Sequence, residues 1–295
     1  MGLISYLCMP NPKSLSMKKS KVLFVSQEIM PFLEVTEISK VARQLPQGIQ
    51  ESGKEIRTFM PRFGLINERR NQLHEVIRLS GMNLIIDDSD HPLIIKVASI
   101  QSARMQVYFI DNEEYFQRKM VFHDAKKKFF KDNEDRMIFF CRGVLETVKK
   151  LGWAPDIIHC HGWMTSLIPF FVKTSYKDDP MFKNSKVVYS HYHQDMEETF
   201  SPAITKKLKM DGITADELKH FKDPTMVNIS LAALKMSDAV IKGSPDKHTA
   251  IDNYLKKVNK PVLAHKPVDE EGTFVDSYSA FYDEILEQES AVLVD

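Results

Sequence analysis

The chain has 295 residues, 43% hydrophobic and 27% charged, and its 40 Lys+Arg balance its 40 Asp+Glu. That length suits one large domain or two modest ones, and a net charge of zero argues against an electrostatic nucleic-acid binder or a polybasic membrane-surface protein. Only 11 residues are glycine, about half the usual share. Neither GxGxxG nor GxxxxGK[ST] occurs, so the standard glycine-rich phosphate cradle is excluded and no cofactor is expected.

Residues 1–20 read as a flexible leader, too short in its apolar part (Leu3 to Met9) for a signal peptide. Met17 is a possible second start. Residues 21–295 are expected to form a single domain. Cys8, Cys141 and Cys160 make no disulfide framework, no CxxC and no zinc spacing. Reduced thiols in the cytoplasm are the expectation, and no apolar run has transmembrane length.

Taken in order, Val22 to Ser26 is a short apolar strand. Ile38, Val41, Ala42, Leu45 and Ile49 recur at helical spacing, with Pro46 expected to kink or break that helix. Glu55 to Met60 is the next strand, and the β-α-β opening favours a parallel sheet. From Glu75 to Asp111, strands joined by short turns predict an antiparallel extension. Asp132 or Asn133 is expected to cap a helix whose stripe is Met137, Cys141, Val144, Leu145, Val148 and Leu151, with Gly152 as its stop. Asp156–Cys160 and Lys186–Ser190 are strands around a helix at Thr165–Tyr176. A looser stretch runs from Gln194 to Pro224. Then come a helix (Met226–Met236), a strand (Ala239–Ile241), a helix (Asp246–Val258) and a closing helix (Ser277–Leu286). The alternation predicts an α/β fold: a Rossmann-like, doubly wound, mostly parallel sheet with helices on both faces.

Ligands in such folds bind outside the carboxyl ends of the strands, so three strand ends matter most. The first, Ser26 to Glu37, carries Glu28, Glu34 and Glu37 where a phosphate cradle would stand. These carboxylates favour the helix dipole and repel a phosphate; helix stabilisation is the simpler reading. The second is His159-Cys160-His161-Gly162-Trp163. Residues two apart on a strand share a face, so His159 and His161 are expected to meet where the sheet opens to solvent, as an acid–base pair, half a metal site or a packed structural pair. The third is His191-Tyr192-His193-Gln194-Asp195. With His159 and His161 it raises a metal-dependent hydrolase as the least favoured reading, because the spacing is no fixed zinc signature. No G-x-S-x-G elbow supports a serine hydrolase.

Together these stretches resemble the bacterial glycogen synthases and plant starch synthases. The resemblance starts at Lys21 to Phe32 (KVLFVSQEIMPF) with Gln44-Leu45-Pro46. It continues through Met60-Pro61-Arg62-Phe63-Gly64, Tyr108-Phe109-Ile110-Asp111 with Tyr115-Phe116, and Asp132-Asn133 with Arg136 and Phe139-Phe140. Pro155 to Trp163 is similar to the family's PDI-H-x-HDWH, and Leu234 to Val240 before Gly243-Ser244-Pro245 to its LK-x-x-x-AD-x-V…VSP. The matches cover nearly all of residues 21–260. The resemblance implies a GT-B glycosyltransferase, which moves glucose from ADP-glucose to the non-reducing end of an α-1,4-glucan. It implies catalytic roles for His161 and Asp132, and contacts to a glucan or maltooligosaccharide from Asn133, Trp163 and His159.

The departures carry equal weight. The family's K-T-G-G-L-A-D-V donor loop falls on Glu34-Val35-Thr36-Glu37-Ile38-Ser39-Lys40-Val41. A lysine and two glycines are replaced by Glu34, Thr36 and Glu37, so the loop is degenerate and ADP-glucose binding is doubtful. Gly162 and Met164 replace the aspartate and second histidine of HDWH. The chain ends about where a second Rossmann domain is expected, so a partner protein supplying that half is possible. The expectation is a synthase-like glucosyltransferase domain that is inactive alone; the alternative is a non-catalytic glucan-binding, regulatory or scaffold protein.

Overall fold

The computed structural model describes residues 19–193, 197–209, 213–269 and 271–292, with side chains to residue 287. Ten strands build one sheet. In chain order they are β1 (Lys21–Ser26), β2 (Glu55–Pro61), β3 (His74–Glu75), β4 (Met82–Ile86), β5 (Ser89–Ile100), β6 (Met105–Asp111), β7 (Ile157–His161), β8 (Lys186–His191), β9 (Ala239–Lys242) and β10 (Val262–Leu263). Their order across the sheet is β10-β9-β8-β7-β1-β2-β6-β5-β3, with β4 on β5. From β10 to β6 every neighbouring pair is parallel, and β5 turns antiparallel against β6, with β3 and β4 antiparallel to β5. The predicted α/β architecture is therefore present. The hairpin extension begins one strand later than expected, because β6 joins the parallel array through Thr58↔Val107 to Pro61↔Ile110.

The central strands are apolar along their whole length because helices cover both faces. In parallel register Phe24 lies beside Thr58 and His159, so these three share one face. The Glu37–Glu51 helix and the Thr273–Val292 helix pack side by side on that face. The Asn133–Leu151 helix takes the other face, where its Gly143 lies so close to Ile110 and Leu93 that a Cβ would come within 2.9 Å of Ile110. One continuous hydrophobic cluster runs from Val22 to Ile285. Among the described residues no helix is long and apolar enough to cross a membrane.

Several local expectations change. Pro46 does not end its helix; it is buried inside a helix that continues to Glu51. A proline costs one backbone hydrogen bond there, and its buried ring keeps the apolar stripe continuous. Asp132 occupies the N-cap position of the Asn133–Leu151 helix but caps nothing, because its carboxylate is turned toward Arg118. Gly152 ends that helix in the left-handed region at φ 62°, as expected. The helix expected at 165–176 is shorter, Leu167–Lys173, behind a 3₁₀ turn at Trp163–Thr165, and the one expected at 246–258 spans Thr249–Leu255. The closing helix is longer than expected.

Candidate functional site

The chain builds outward from β1 to β2 on one side, then returns to lay β7 on the other. The carboxyl ends of β1 and β7 therefore flank the switch point of the sheet, where ligands of open α/β folds bind. Ser26 and His161 are register partners there. The chain leaves β1 through Gln27, whose N–H donates to His161 O at 3.2 Å. It leaves β7 through Gly162 at φ 84°, ψ 165°, a conformation for which glycine is suited. A Cβ at Gly162 would lie 2.2 Å from Gln27 Oε1.

His159 and His161 do share a face, with ring centroids 3.9 Å apart. They do not open to solvent: both are fully buried. The Thr273–Val292 helix covers them, and Tyr282 OH pairs with His159 Nδ1 at 2.6 Å. Ser190 Oγ pairs with His159 Nε2 at 2.7 Å, and Tyr192 OH with His161 Nδ1 at 2.9 Å. Burial, and then the neighbouring His161, push the pKa of His159 well below the usual histidine value. Burial pushes His161 down to about 3. Both imidazoles are neutral at neutral pH, so the pair is a hydrogen-bonding element rather than a charged one. Among the described residues His161 Nε2 has no partner.

Trp163, two residues on, faces elsewhere. It is buried, and its ring packs on Phe122, Phe129 and Phe200 at 4.7, 5.8 and 5.4 Å. It also walls a cavity of 590 Å³ at the carboxyl ends of β8 and β9, with Tyr192, His193, Glu197, Glu198 and His248 among the other walls. His191 joins that wall, its pKa pushed down to about 4 by burial first and by His248 and His193 next. Among the described residues Trp163 Nε1, His191 Nε2 and His248 Nδ1 are buried polar atoms without a partner. All three residues line the cavity, while the nitrogens themselves are sealed from solvent.

Asp132 and Asn133 belong to a third cluster. Arg118 grips the Asp132 carboxylate with both terminal nitrogens. Burial alone would raise the Asp132 pKa, but Arg118 and then Arg136 hold it below the usual carboxylate range. Asn133 is fully buried; its Oδ1 accepts from Arg136 at 2.6 Å and its Nδ2 donates to Phe122 O at 2.9 Å. Asn133 thus supports the Phe122 ring on which Trp163 packs. Sequence reasoning missed Arg118, Phe122, Phe129, Phe200, Glu198 and His248. All lie in connecting segments, where no periodicity marks a side chain as facing a site.

The 34–37 loop is closed by its own side chains. Thr36 N-caps the Glu37–Glu51 helix: Ser39 N donates to Thr36 Oγ1 at 3.0 Å, and Thr36 N to Ser39 Oγ at 2.8 Å. Thr36 Oγ1 donates to Glu28 Oε1 at 2.9 Å. Burial raises the Glu28 pKa against the hydrogen bonds from Thr36 and Gln27. Glu37 sits in the first helical turn with its carboxylate 3.6 Å from His265 Nε2, and Glu34 is exposed. Two helix-start amides that could bind a phosphate are already occupied.

The histidines do not converge as metal ligands. His159 and His161 lie under the Thr273–Val292 helix while His191 and His193 line the cavity, and Asp195 lies outside the described residues. Among the described residues no group of three or more His, Cys, Asp or Glu side chains could hold a metal ion.

A family model described as the starch synthase catalytic domain matches residues 21–255. The glycogen synthase of Chlorobaculum parvum is 35% identical over 226 residues, covering 76% of this chain and 46% of that protein. The glycogen synthase of Chlorobium luteolum is 42% identical over 201 residues, covering 68% and 41%. The catalytic domain of starch synthase IV from Arabidopsis thaliana, solved with ADP and acarbose, superposes with a TM-score of 0.66 at 18% identity, over 86% of this chain and 53% of that one. The chain spans about half the length of the curated relatives it matches. It belongs to the starch synthase catalytic-domain family.

Proposed function

We propose that the chain keeps the family's sugar-binding face, takes an α-1,4-glucan or maltooligosaccharide, and does not by itself transfer glucose from ADP-glucose. The observation that carries this reading is the contrast between the two strand-end regions. The 590 Å³ cavity offers aromatic side chains, two carboxylates and histidines, the mixture that binds neutral polyhydroxylated ligands. In the 34–37 loop Thr36 N and Ser39 N are bonded internally, and Glu28, Glu34 and Glu37 stand around them. A diphosphate arriving there would meet like charge and two amides already taken. His161 remains a proposed catalytic residue only in a complex that exposes it, and Asp132 only where its ion pair with Arg118 opens. A reduced, cytoplasmic setting accords with the buried free thiols Cys141 and Cys160.

Calorimetric titration with maltooligosaccharides, beside ADP-glucose, tests the proposal. Saturable heat with the oligosaccharide alone is the expected result. Robust ADP release from ADP-glucose and glycogen would overturn the inactive reading; no sugar binding at millimolar concentrations would leave only a scaffold or partner-binding role.

A further inference from the structure

The opposite end of the sheet holds a second feature. β2 pairs with β1 from its first residue, Glu55↔Lys21, but with β6 only from Thr58↔Val107. The starts of β2 and β6 therefore splay apart. A cavity of 390 Å³ opens in the splay, at the amino ends of the parallel strands. Its walls include Gln50, Arg57, Gln101, Arg104, Gln106 and Tyr108. Among the described residues no carboxylate lines it. The 590 Å³ cavity, by contrast, carries Glu197 and Glu198.

Both arginines are held ready. The Arg57 guanidinium lies 5.4 Å from the Trp153 ring centroid and donates to Ile56 O at 3.2 Å. Its buried Nε has no partner among the described residues. Glu55, on the same face of β2, accepts instead from Trp153 Nε1 at 3.2 Å. Arg104 sits in the left-handed region at φ 50°, ψ 33°, a position where glycine or asparagine would cost less. Gln50 Nε2 donates to Arg104 O at 3.3 Å and ties that turn to the Glu37–Glu51 helix. Among the described residues neither arginine is ion-paired.

From this geometry we infer a second ligand site, for a phosphate monoester of a small polyhydroxylated molecule. Guanidinium groups on two separate elements match the oxygens of a phosphate. The three glutamine amides and the Tyr108 hydroxyl match hydroxyl groups. The cavity volume is within the range of about 300–1,000 Å³ usual for small-molecule sites. The site lies at the opposite ends of the strands from the 590 Å³ cavity.

The test is calorimetry on the full chain at constant ionic strength, with fructose 6-phosphate and inorganic phosphate as separate titrants. Saturable binding is expected, tighter for the sugar phosphate. Arg104→Gln and Gln106→Glu should each weaken it by about tenfold or more, because each removes or opposes a charge-assisted contact. Both positions are exposed, so the fold should persist; an unchanged melting temperature and unchanged maltooligosaccharide binding would verify that. Absence of saturable binding by either titrant overturns the site. Binding that both variants leave intact places the anion elsewhere and also overturns it. Equal affinity for the two titrants removes the sugar half of the inference.

Discussion

Tyr282 OH lies 2.6 Å from His159 Nδ1, although the two residues are 123 positions apart. The contact joins the Thr273–Val292 helix to the centre of the sheet, in a place from which water is excluded. With Ser190 on Nε2, it completes the hydrogen-bonding capacity of the imidazole. Removing the hydroxyl alone should therefore be costly. Tyr282→Phe is expected to lower unfolding free energy by about 1–3 kcal/mol, the usual cost of an orphaned buried polar atom. Denaturant titration measures it, and a change within experimental error would show that the hydroxyl is not needed there.

Acid should destabilise the fold earlier than surface charge would suggest. His161 has a folded pKa of about 3 and His159 one well below the ordinary value, both because burial disfavours the cation. The unfolded chain titrates near 6.5, so below that pH it binds protons that the native state refuses. Stability is complete above about pH 6.5 and falls as pH drops toward the folded value. Each histidine contributes a slope approaching about 1.4 kcal/mol per pH unit. Chemical denaturation at pH 7, 5.5 and 4.5 should trace this fall, and His161→Gln should flatten it. A profile that is level over that interval would contradict neutral burial.

Gly162 is required by backbone conformation and by crowding together. Its φ is 84°, and an added Cβ would strike Gln27 Oε1. Gln27 is itself buried and accepts from Met164 N at 3.4 Å. Gly162→Ala should cost about 2 kcal/mol or more, combining positive-φ strain with a displaced buried amide. The double variant Gln27→Ala, Gly162→Ala should recover part of the second share; a single variant as stable as the parent would refute both.

Trp163 is the most direct probe of the cavity proposed to bind glucan. Trp163→Phe keeps an aromatic ring against Phe122 and Phe200 but removes the unpartnered Nε1 donor. Maltooligosaccharide affinity should fall by about tenfold, the worth of one buried hydrogen bond plus lost ring area. His161→Gln, outside that cavity wall, should change affinity much less. Equal losses from the two would mean that the cavity is not where the sugar sits.

The 34–37 loop can be reopened. Glu34→Lys with Thr36→Gly and Glu37→Gly removes two carboxylates and the capping hydroxyl that bonds Ser39 N. Helix stability should drop by about 1 kcal/mol with the lost cap, while calorimetry should register ADP binding where none is expected of the parent. If the triple variant gains no affinity for ADP, the closed cap is not what limits nucleotide binding.

Much of the fold is visible in the linear pattern, for reasons that differ by residue. Val22 to Val25 and Ile157 to Cys160 had to be strands because short apolar runs between polar turns suit a sheet covered on both sides. Gly152 marked a helix end because the left-handed cap favours it. The site was less legible. Asp132 looked like a helix cap by type and position, yet Arg118, 14 residues earlier, takes its carboxylate. A charged partner outcompetes neutral amides for a carboxylate, and spacing along the chain contains no sign of which partner is in reach.

The sequence by itself determined the α/β alternation, the likeness to the synthases and the presence of Glu34, Thr36 and Glu37 in the 34–37 loop. Those are properties of residue type and order. Only the tertiary structure decided what each histidine does. His159 and His161 became neutral and enclosed because a helix more than a hundred residues away folds over them. Trp163 became a cavity wall because Phe122, Phe129 and Phe200 meet around it. Burial and partnership set protonation and access, and both depend on which distant segments the fold brings together.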